Sequence, residues 1–150
     1  MTDLALRLIE PRDLRHVHAM VQALAAHHGD ACTLTVDALA RDALSDPPWL
    51  RVIVAERAGV LVAYAALCPL AQLHFGVRGM DMHHLFVVEH ARGTGVGRAL
   101  IDASLAHCRD EGCRYMTVGT HADNAAAAAV YRAAGFEDLP PPGPRFRIKF

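Results

Sequence analysis

The most informative part of the sequence is Leu85-Phe86-Val87-Val88-Glu89-His90-Ala91-Arg92-Gly93-Thr94-Gly95-Val96-Gly97-Arg98. An apolar run typical of a buried strand leads into a glycine-rich turn, and a helix is predicted from about residue 95 to residue 111. The first turn of a helix offers unpaired N–H groups and a partial positive charge. Glycines let the backbone approach a phosphate closely. The pattern therefore favours a pyrophosphate held by backbone amides.

Two common nucleotide-binding motifs also contain a glycine-rich turn, and neither fits these residues. A Walker loop requires Gly-Lys-Ser/Thr at its end, whereas Gly97 is followed by Arg98 and Ala99. A Rossmann fingerprint requires G-x-G-x-x-G and an acidic residue about 20 positions later, where this chain has the apolar run Met116-Thr117-Val118. From the glycine triplet alone, a turn that binds no ligand stays open.

Composition limits the class of protein. The 150 residues are 53% hydrophobic and 21% charged, which predicts one globular domain over residues 1–150. Fifteen basic and sixteen acidic residues give a net charge of −1, which argues against nucleic acid and polybasic membrane-surface binding. No signal peptide, membrane-spanning apolar run or C-x-x-C pair is visible, so we expect a cytoplasmic protein with reduced thiols.

The pattern of apolar residues and breakers predicts an α+β chain. We expect strands at residues 4–9, 50–56, 60–67, 82–88, 114–120 and 145–150, with the second and third forming a hairpin. Helices are predicted at 11–26, at 36–44 after a Thr35 cap, at 95–111, and from a cap at Asp123 or Asn124 to Gly135. Residues 70–79 are predicted to be a loop.

The glycine motif has a second motif downstream of it. Arg92 to Gly97 fits R-x-x-G-x-G, and Asn124 is followed by Val130-Tyr131 and then Gly135-Phe136. With these motifs in this order, the sequence resembles the GNAT superfamily of acyl-CoA N-acyltransferases. The resemblance implies the GNAT fold, a mixed, mostly antiparallel central sheet of six to seven strands flanked by about four helices. It also implies acetyl-CoA as cofactor and a homodimer, with residues 145–150 at the interface.

A narrower resemblance concerns the acceptor. Asp46-Pro47-Pro48-Trp49, Val54-Ala55-Glu56 and His83-His84-Leu85-Phe86-Val87 are similar to the spermidine/spermine (diamine) N-acetyltransferase branch. That branch carries two acidic residues where this chain has His83 and His84. The departure argues against a polyamine acceptor.

The resemblance also implies roles for individual residues. Tyr131 matches the tyrosine that acts as general acid toward the leaving thiolate, and a phenol with a pKa near ~10 is protonated at neutral pH. A backbone N–H at a bulge in the fourth strand, here mapped to Phe86–Val87, would donate to the thioester oxygen. The implied coenzyme-binding residues are Leu85, Phe86, Val87, Arg92, Gly93, Thr94, Gly95, Val96, Gly97, Arg98 and Asn124.

The acceptor side is expected to contain histidines. His83 is the candidate base or substrate contact, acting directly or through water. Strand alternation predicts that His83 and His84 point to opposite faces of the sheet. His27, His28 and Phe75 are further candidates for substrate binding. Because no H-x-x-x-H motif or carboxylate triad is present, we expect no metal site.

Two kinds of function remain open from the sequence. The first is N-acetyl transfer from acetyl-CoA by direct attack of a primary amine of a small molecule, with a protein or peptide amine as the alternative acceptor. The second is a non-catalytic acyl-CoA sensor that kept the glycine turn and lost its base.

Overall fold

The computed structural model describes residues 3–150 and contains a five-stranded sheet in the order β1-β2-β3-β4-β5. The strands are β1 (Leu4–Leu8), β2 (Arg51–Arg57), β3 (Val60–Gln72), β4 (Val77–Val87) and β5 (Tyr115–Val118). The first four are antiparallel, and β5 is parallel to β4. The mixed sheet and α+β class are confirmed, but the described residues form five strands rather than six to seven.

The predicted strand at residues 145–150 does not form. Phe146, Ile148 and Phe150 alternate with basic residues, which is a strand-like pattern, yet all three are exposed and lie in irregular chain. Strand propensity mostly reflects packing against neighbouring strands and burial of one face. The described residues supply no neighbouring strand to this segment, so the pattern alone does not make a strand.

The predicted loop at residues 70–79 is also wrong, because β3 and β4 extend into it. Leu70 pairs with Gly79 and Gln72 pairs with Val77, and a short 3-10 turn at Leu73–Phe75 connects the two strands. Residues 69–76 are exposed. They lack the apolar alternation from which a strand is predicted, because they continue an established ladder instead of covering a core.

Four α-helices occur within residues 3–150: α1 (Leu14–His27), α2 (Val36–Leu44), α3 (Val96–Asp110) and α4 (Ala125–Ala133). Two caps predicted from the sequence are present. Thr35 Oγ1 accepts the Ala38 amide at 3.0 Å, and Asn124 Oδ1 accepts the Ala127 amide at 3.0 Å. Each cap satisfies an N–H that the helix cannot, so these helices begin where the sequence places them.

The core of the sheet has two sides. Val17 and Leu39 of α1 and α2 pack with Val54, Tyr64 and Phe86 in one buried cluster. The alternate residues of β2 and β3 face the other side, where α3 packs. The central strands are thus packed between helices on both faces of the sheet.

The chain divides into two compact units. The first runs to Gly119 and carries all five strands, and the second, Thr120–Phe150, carries α4. No helix among residues 3–150 is long and apolar enough to cross a bilayer.

Candidate functional site

The turn before α3 has a backbone shape that requires glycine. Gly93 has φ +72° and Gly95 has φ +88°, both in the left-handed region. A Cβ at either position would meet no atom within 4 Å, so backbone conformation rather than crowding selects glycine here. Gly95 is the N-cap of α3, and the space beside both glycines is open to a ligand.

Two side chains stabilise the turn, one of them by a hydrogen bond to β4. Arg92 Nε donates to the Val87 carbonyl at 2.9 Å, and the Arg92 guanidinium carbon lies 5.8 Å from the centre of the Phe86 ring. Thr94 Oγ1 donates to the Ala91 carbonyl at 2.5 Å. Arg92 and Thr94, expected to bind the coenzyme, therefore also shape the turn.

The first turn of α3 presents amides beside these glycines. Val96 and Gly97 occupy its first two positions, where an N–H has no carbonyl acceptor within the helix. A Cβ at Gly97 would lie 3.7 Å from Val87 Cγ2, an ordinary contact. Arg98 follows, and its Nε donates to Asp102 Oδ1 at 3.1 Å. The helix dipole and these amides together favour an anion at this position.

The last part of β4 has one unpaired edge in the described sheet. The pairing of β4 with β5 ends at Met82 opposite Val118. On the other edge, the Val88 amide donates to the Val62 carbonyl at 2.9 Å. Backbone groups alternate in direction along an antiparallel strand, so those of Leu85 and Val87 point away from β3. The edge that leads to the glycine turn therefore offers a ligand the N–H groups of Leu85 and Val87 and the Leu85 carbonyl, while the Val87 carbonyl accepts from Arg92.

The expected bulge in this strand is present at a different residue. Ala66 pairs with His84 and Leu67 pairs with Met82, so His83 is an extra residue in β4. Tyr64–Phe86 and Ala63–Val87 pair in regular register. The prediction of a bulge at Phe86–Val87 is therefore wrong. Phe86 is regularly paired with Tyr64, and its amide faces β3. Of those two residues, only Val87 directs its N–H to the open edge.

The bulge also overturns the expected separation of the two histidines. Their rings stack with centroids 4.4 Å apart and planes 13° from parallel, so they lie side by side. Strand alternation predicts opposite faces, but a bulge interrupts alternation and redirects a side chain. His83 is exposed, and His84 is partly buried beside it.

A tyrosine that the sequence did not single out anchors this pair. The side chain of Tyr64 is 1% exposed, and its hydroxyl lies 3.0 Å from His84 Nδ1. Burial, with smaller contributions from His83 and His28, lowers the pKa of His84 to about 4, so the ring is neutral at pH 7. Burial raises the pKa of Tyr64, which keeps its hydroxyl proton. Tyr64 and His84 are twenty residues apart, so no local pattern connects them.

The remaining acceptor-side candidates divide into two groups. His28 lies close enough to His84 to act on it electrostatically, and its ring centroid is 5.7 Å from that of His27. Phe75 is 67% exposed at the tip of the β3–β4 hairpin. Six residues of strand, about 20 Å, separate His83 from the start of β4 next to that tip. The structure therefore does not bring Phe75 to His83. Within residues 3–150 no three His, Cys, Asp or Glu side chains are grouped to hold a metal.

The second unit carries the other two candidates. Asn124 caps α4, as described above, and is exposed. Tyr131 lies on α4 with its ring edge-on to Phe136, the centroids 5.9 Å apart. Burial raises the pKa of Tyr131, so the phenol is protonated at neutral pH and able to donate a proton.

Comparison with known proteins identifies the family. Residues 17–136 match the Acetyltransferase (GNAT) family. A mycothiol acetyltransferase of Cellulomonas flavigena is 35% identical over 120 residues, which are 74% of this chain and 34% of that protein. An IAA acetyltransferase of Azospirillum brasilense is 28% identical over 144 residues, 96% of this chain and 84% of that protein. The chain therefore belongs to the GNAT family. The spermidine/spermine branch is not specifically supported.

Solved structures agree on the fold. An aminoglycoside N-acetyltransferase, AAC(6')-Iy, in complex with CoA superposes with a TM-score of 0.78 at 21% identity, covering 98% of this chain and 96% of that one. At that identity the likeness shows the fold alone. The chain spans about a third to a half of the length of the mycothiol acetyltransferases that it matches.

Proposed function

We propose that this chain transfers the acetyl group of acetyl-CoA to a primary amine of a small molecule. The observation that carries the proposal is the left-handed glycine turn at the start of α3, which adjoins the unpaired edge of β4. A turn with two positive-φ glycines and first-turn amides suits a pyrophosphate, and a free strand edge suits an extended amide-containing arm. Membership of the acetyltransferase family supports the same assignment.

The residues fit the coenzyme without a cluster of basic side chains. The amides of Gly93 to Gly97 would hold the pyrophosphate, with Arg92 and Arg98 close by, and the backbone groups of Leu85 and Val87 would hold the pantetheine arm. When bound, acetyl-CoA supplies the activated acetyl thioester. The Val87 N–H, on the open edge, is the donor we assign to the thioester oxygen. We assign two roles to Asn124: it caps α4, and it contacts the pantetheine arm.

The two proton transfers are assigned to Tyr131 and His83. Tyr131 holds a proton at its phenolic oxygen at neutral pH and donates it to the leaving sulfur. His83 is exposed at the bulge and accepts the proton of the amine, directly or through a water molecule. His84 is assigned no base role, because burial lowers its pKa to about 4 and so makes the ring a weak proton acceptor, and because its Nδ1 is hydrogen-bonded to Tyr64.

The relatives' names support a small acceptor. They include mycothiol acetyltransferases and an L-methionine sulfoximine/L-methionine sulfone acetyltransferase of Pseudomonas paraeruginosa. A ribosomal-protein-alanine N-acetyltransferase from Brucella melitensis shares the fold with a TM-score of 0.75 at 20% identity, covering 97% of this chain and 100% of that one. A protein or peptide amine is therefore kept as the second acceptor to test.

Assembly and location belong to the proposal as well. We propose a cytoplasmic homodimer in which residues 145–150 pair with a second copy, since Phe146, Ile148 and Phe150 are exposed. Analytical ultracentrifugation of the chain and of a Phe146→Ser/Ile148→Ser variant tests this. A monomer in the unsubstituted chain contradicts it.

Release of free thiol from acetyl-CoA, measured against a panel of amines and an amino-terminal peptide, tests the activity. The proposal predicts amine-dependent thiol release and an N-acetylated product by mass spectrometry. Tight CoA binding with no turnover on any amine or peptide would instead support the sensor alternative.

A further inference from the structure

The buried hydroxyl of Tyr64 fixes the tautomer of His84. Its distance to His84 Nδ1 is 3.0 Å, and among residues 3–150 no other acceptor is within hydrogen-bond reach of this hydroxyl. Because Tyr64 is only 1% exposed, bulk water does not serve as the acceptor of this hydroxyl proton. A hydroxyl proton without an acceptor in the core is energetically unfavourable. Tyr64 O–H therefore donates to Nδ1, and Nδ1 carries no proton.

This assignment leaves His84 with one possible role toward a ligand. A neutral imidazole has one N–H, and with Nδ1 as acceptor that N–H is on Nε2. The Nε2–H bond is directed roughly opposite to the Nδ1 lone pair, so it points away from Tyr64, and the ring is only partly buried. His84 thus presents a hydrogen-bond donor, held in place by Tyr64 and by the stacked ring of His83.

The side chains that act electrostatically on His84 are histidines, His83 and His28. In the part of the chain that the structure describes, no ion pair joins His28, His83 or His84 to an acidic residue. A second ammonium group of an acceptor would meet histidines beside His84, whereas an oxygen atom would find the Nε2–H donor.

We propose that His84, positioned by Tyr64, donates a hydrogen bond to an oxygen of the acceptor. The acceptor class is then an amine that bears a carboxylate or a hydroxyl next to the reacting nitrogen, rather than a plain alkylamine or a diamine. This inference rests on the proposed function. Tyr64 is a positioning residue, since it acts through His84.

A matched set of amines tests the substrate class. Ethylamine, ethanolamine, glycine and 1,3-diaminopropane differ in what lies beside the reacting amine, and ethanolamine and glycine separate hydroxyl from carboxylate. We expect kcat/KM for ethanolamine, for glycine or for both to exceed the values for ethylamine and 1,3-diaminopropane at least tenfold. Most of this difference should come from KM. Equal values for all four amines would overturn the inference.

Variants test the route through Tyr64. His84→Leu removes the donor and should reduce the preference to less than threefold, whereas His84→Gln retains an N–H near the same place and should keep most of it. Tyr64→Phe frees Nδ1 and should weaken the preference, with the loss in KM rather than in kcat. Tyr115→Phe, which removes a tyrosine hydroxyl from β5, is the matched control and should leave the preference unchanged. A preference that survives His84→Leu contradicts the assignment.

A binding measurement separates this inference from the proposed function. Nitrogen-15 NMR of the imidazoles in the CoA-saturated chain should show His84 as the Nε2–H tautomer, with shifts on addition of glycine or ethanolamine and none with ethylamine. If no amine is turned over but these shifts occur, the proposed function fails and the assignment of His84 stands. An Nδ1–H tautomer, or no selective shift, overturns the assignment whatever the activity.

Discussion

The glycine turn and the histidine pair are both at the end of β4, yet they are built in different ways. The turn is made of backbone: two left-handed glycines, the first amides of α3 and the edge groups of Leu85 and Val87. The pair is made of side chains, His83 and His84, brought together by a bulge and anchored by Tyr64.

This difference assigns separate roles to the two regions. Backbone amides bind a phosphate whatever the neighbouring side chains are, so the turn suits a constant coenzyme. Side chains change with each substitution, so the pair suits an acceptor that differs between relatives. The comparison predicts that substitutions in the turn abolish coenzyme binding, and that substitutions in the pair change turnover, selectivity or acid sensitivity with coenzyme binding intact.

The largest effect is expected for Gly95→Asp. The new residue must adopt φ +88°, which L-residues rarely do, and its carboxylate would face the pyrophosphate. We expect CoA affinity to fall by at least ~100-fold, about 2.7 kcal/mol, in isothermal titration calorimetry. Gly76→Asp, at φ +64° on the tip of the β3–β4 hairpin, is the matched control with a similar backbone. A similar loss of CoA affinity in Gly76→Asp would show that the loss in Gly95→Asp comes from disturbed folding rather than from the glycine turn.

The next effect is expected for Tyr131→Phe, which removes the proposed acid and keeps the ring packed on Phe136. Loss of general acid catalysis typically costs ~10²–10⁴-fold in rate, so kcat should fall by about 100-fold or more. The dissociation constant of CoA should stay within about twofold. Thiol release under saturating amine measures this, and an unchanged kcat would remove Tyr131 from the mechanism.

A moderate effect is expected for His83→Ala. If His83 accepts the amine proton, kcat should fall by roughly 10–100-fold at pH 7 with unchanged CoA affinity. The exposed His74→Ala variant on the hairpin tip serves as control. A loss below threefold would assign the proton transfer to water without His83.

The smallest effect concerns the acid sensitivity of the fold. The pKa of His84 falls from 6.5 in the unfolded chain to about 4 in the fold, so between these values the unfolded chain binds the extra proton. Stability from this group is complete above pH 6.5 and decreases as pH falls from 6.5 to about 4. His84→Gln should therefore lose less stability than the unsubstituted chain between pH 7 and pH 4.5 in urea unfolding. Equal losses of stability in His84→Gln and in the unsubstituted chain between pH 7 and pH 4.5 would contradict the lowered pKa of His84.

The sequence predicted what local chemistry controls. The glycine turn, the Thr35 and Asn124 caps and the β2–β3 hairpin all depend on residues close together in the chain, and the structure contains them. The bulge at His83 depends instead on how β4 pairs with β3. A one-residue difference in register decides which faces two histidines share, and no local pattern encodes it.

The same limit explains the other errors. Residues 70–72 and 77–79 are strand because each partner continues the other's ladder, although neither has an apolar face to reveal it. Residues 145–150 have the alternation of a strand and no neighbouring strand within residues 3–150. Tyr64 is read as an ordinary core residue until its partner twenty positions away is known.

Backbone amide shifts on titration with CoA report whether the glycine turn and the open edge of β4 hold the coenzyme. We expect the largest changes at Leu85, Val87, Gly93, Gly95, Val96 and Gly97, with small changes at His83 and His84. Binding that leaves the amides of the glycine turn unshifted, or that shifts another surface instead, would contradict this expectation.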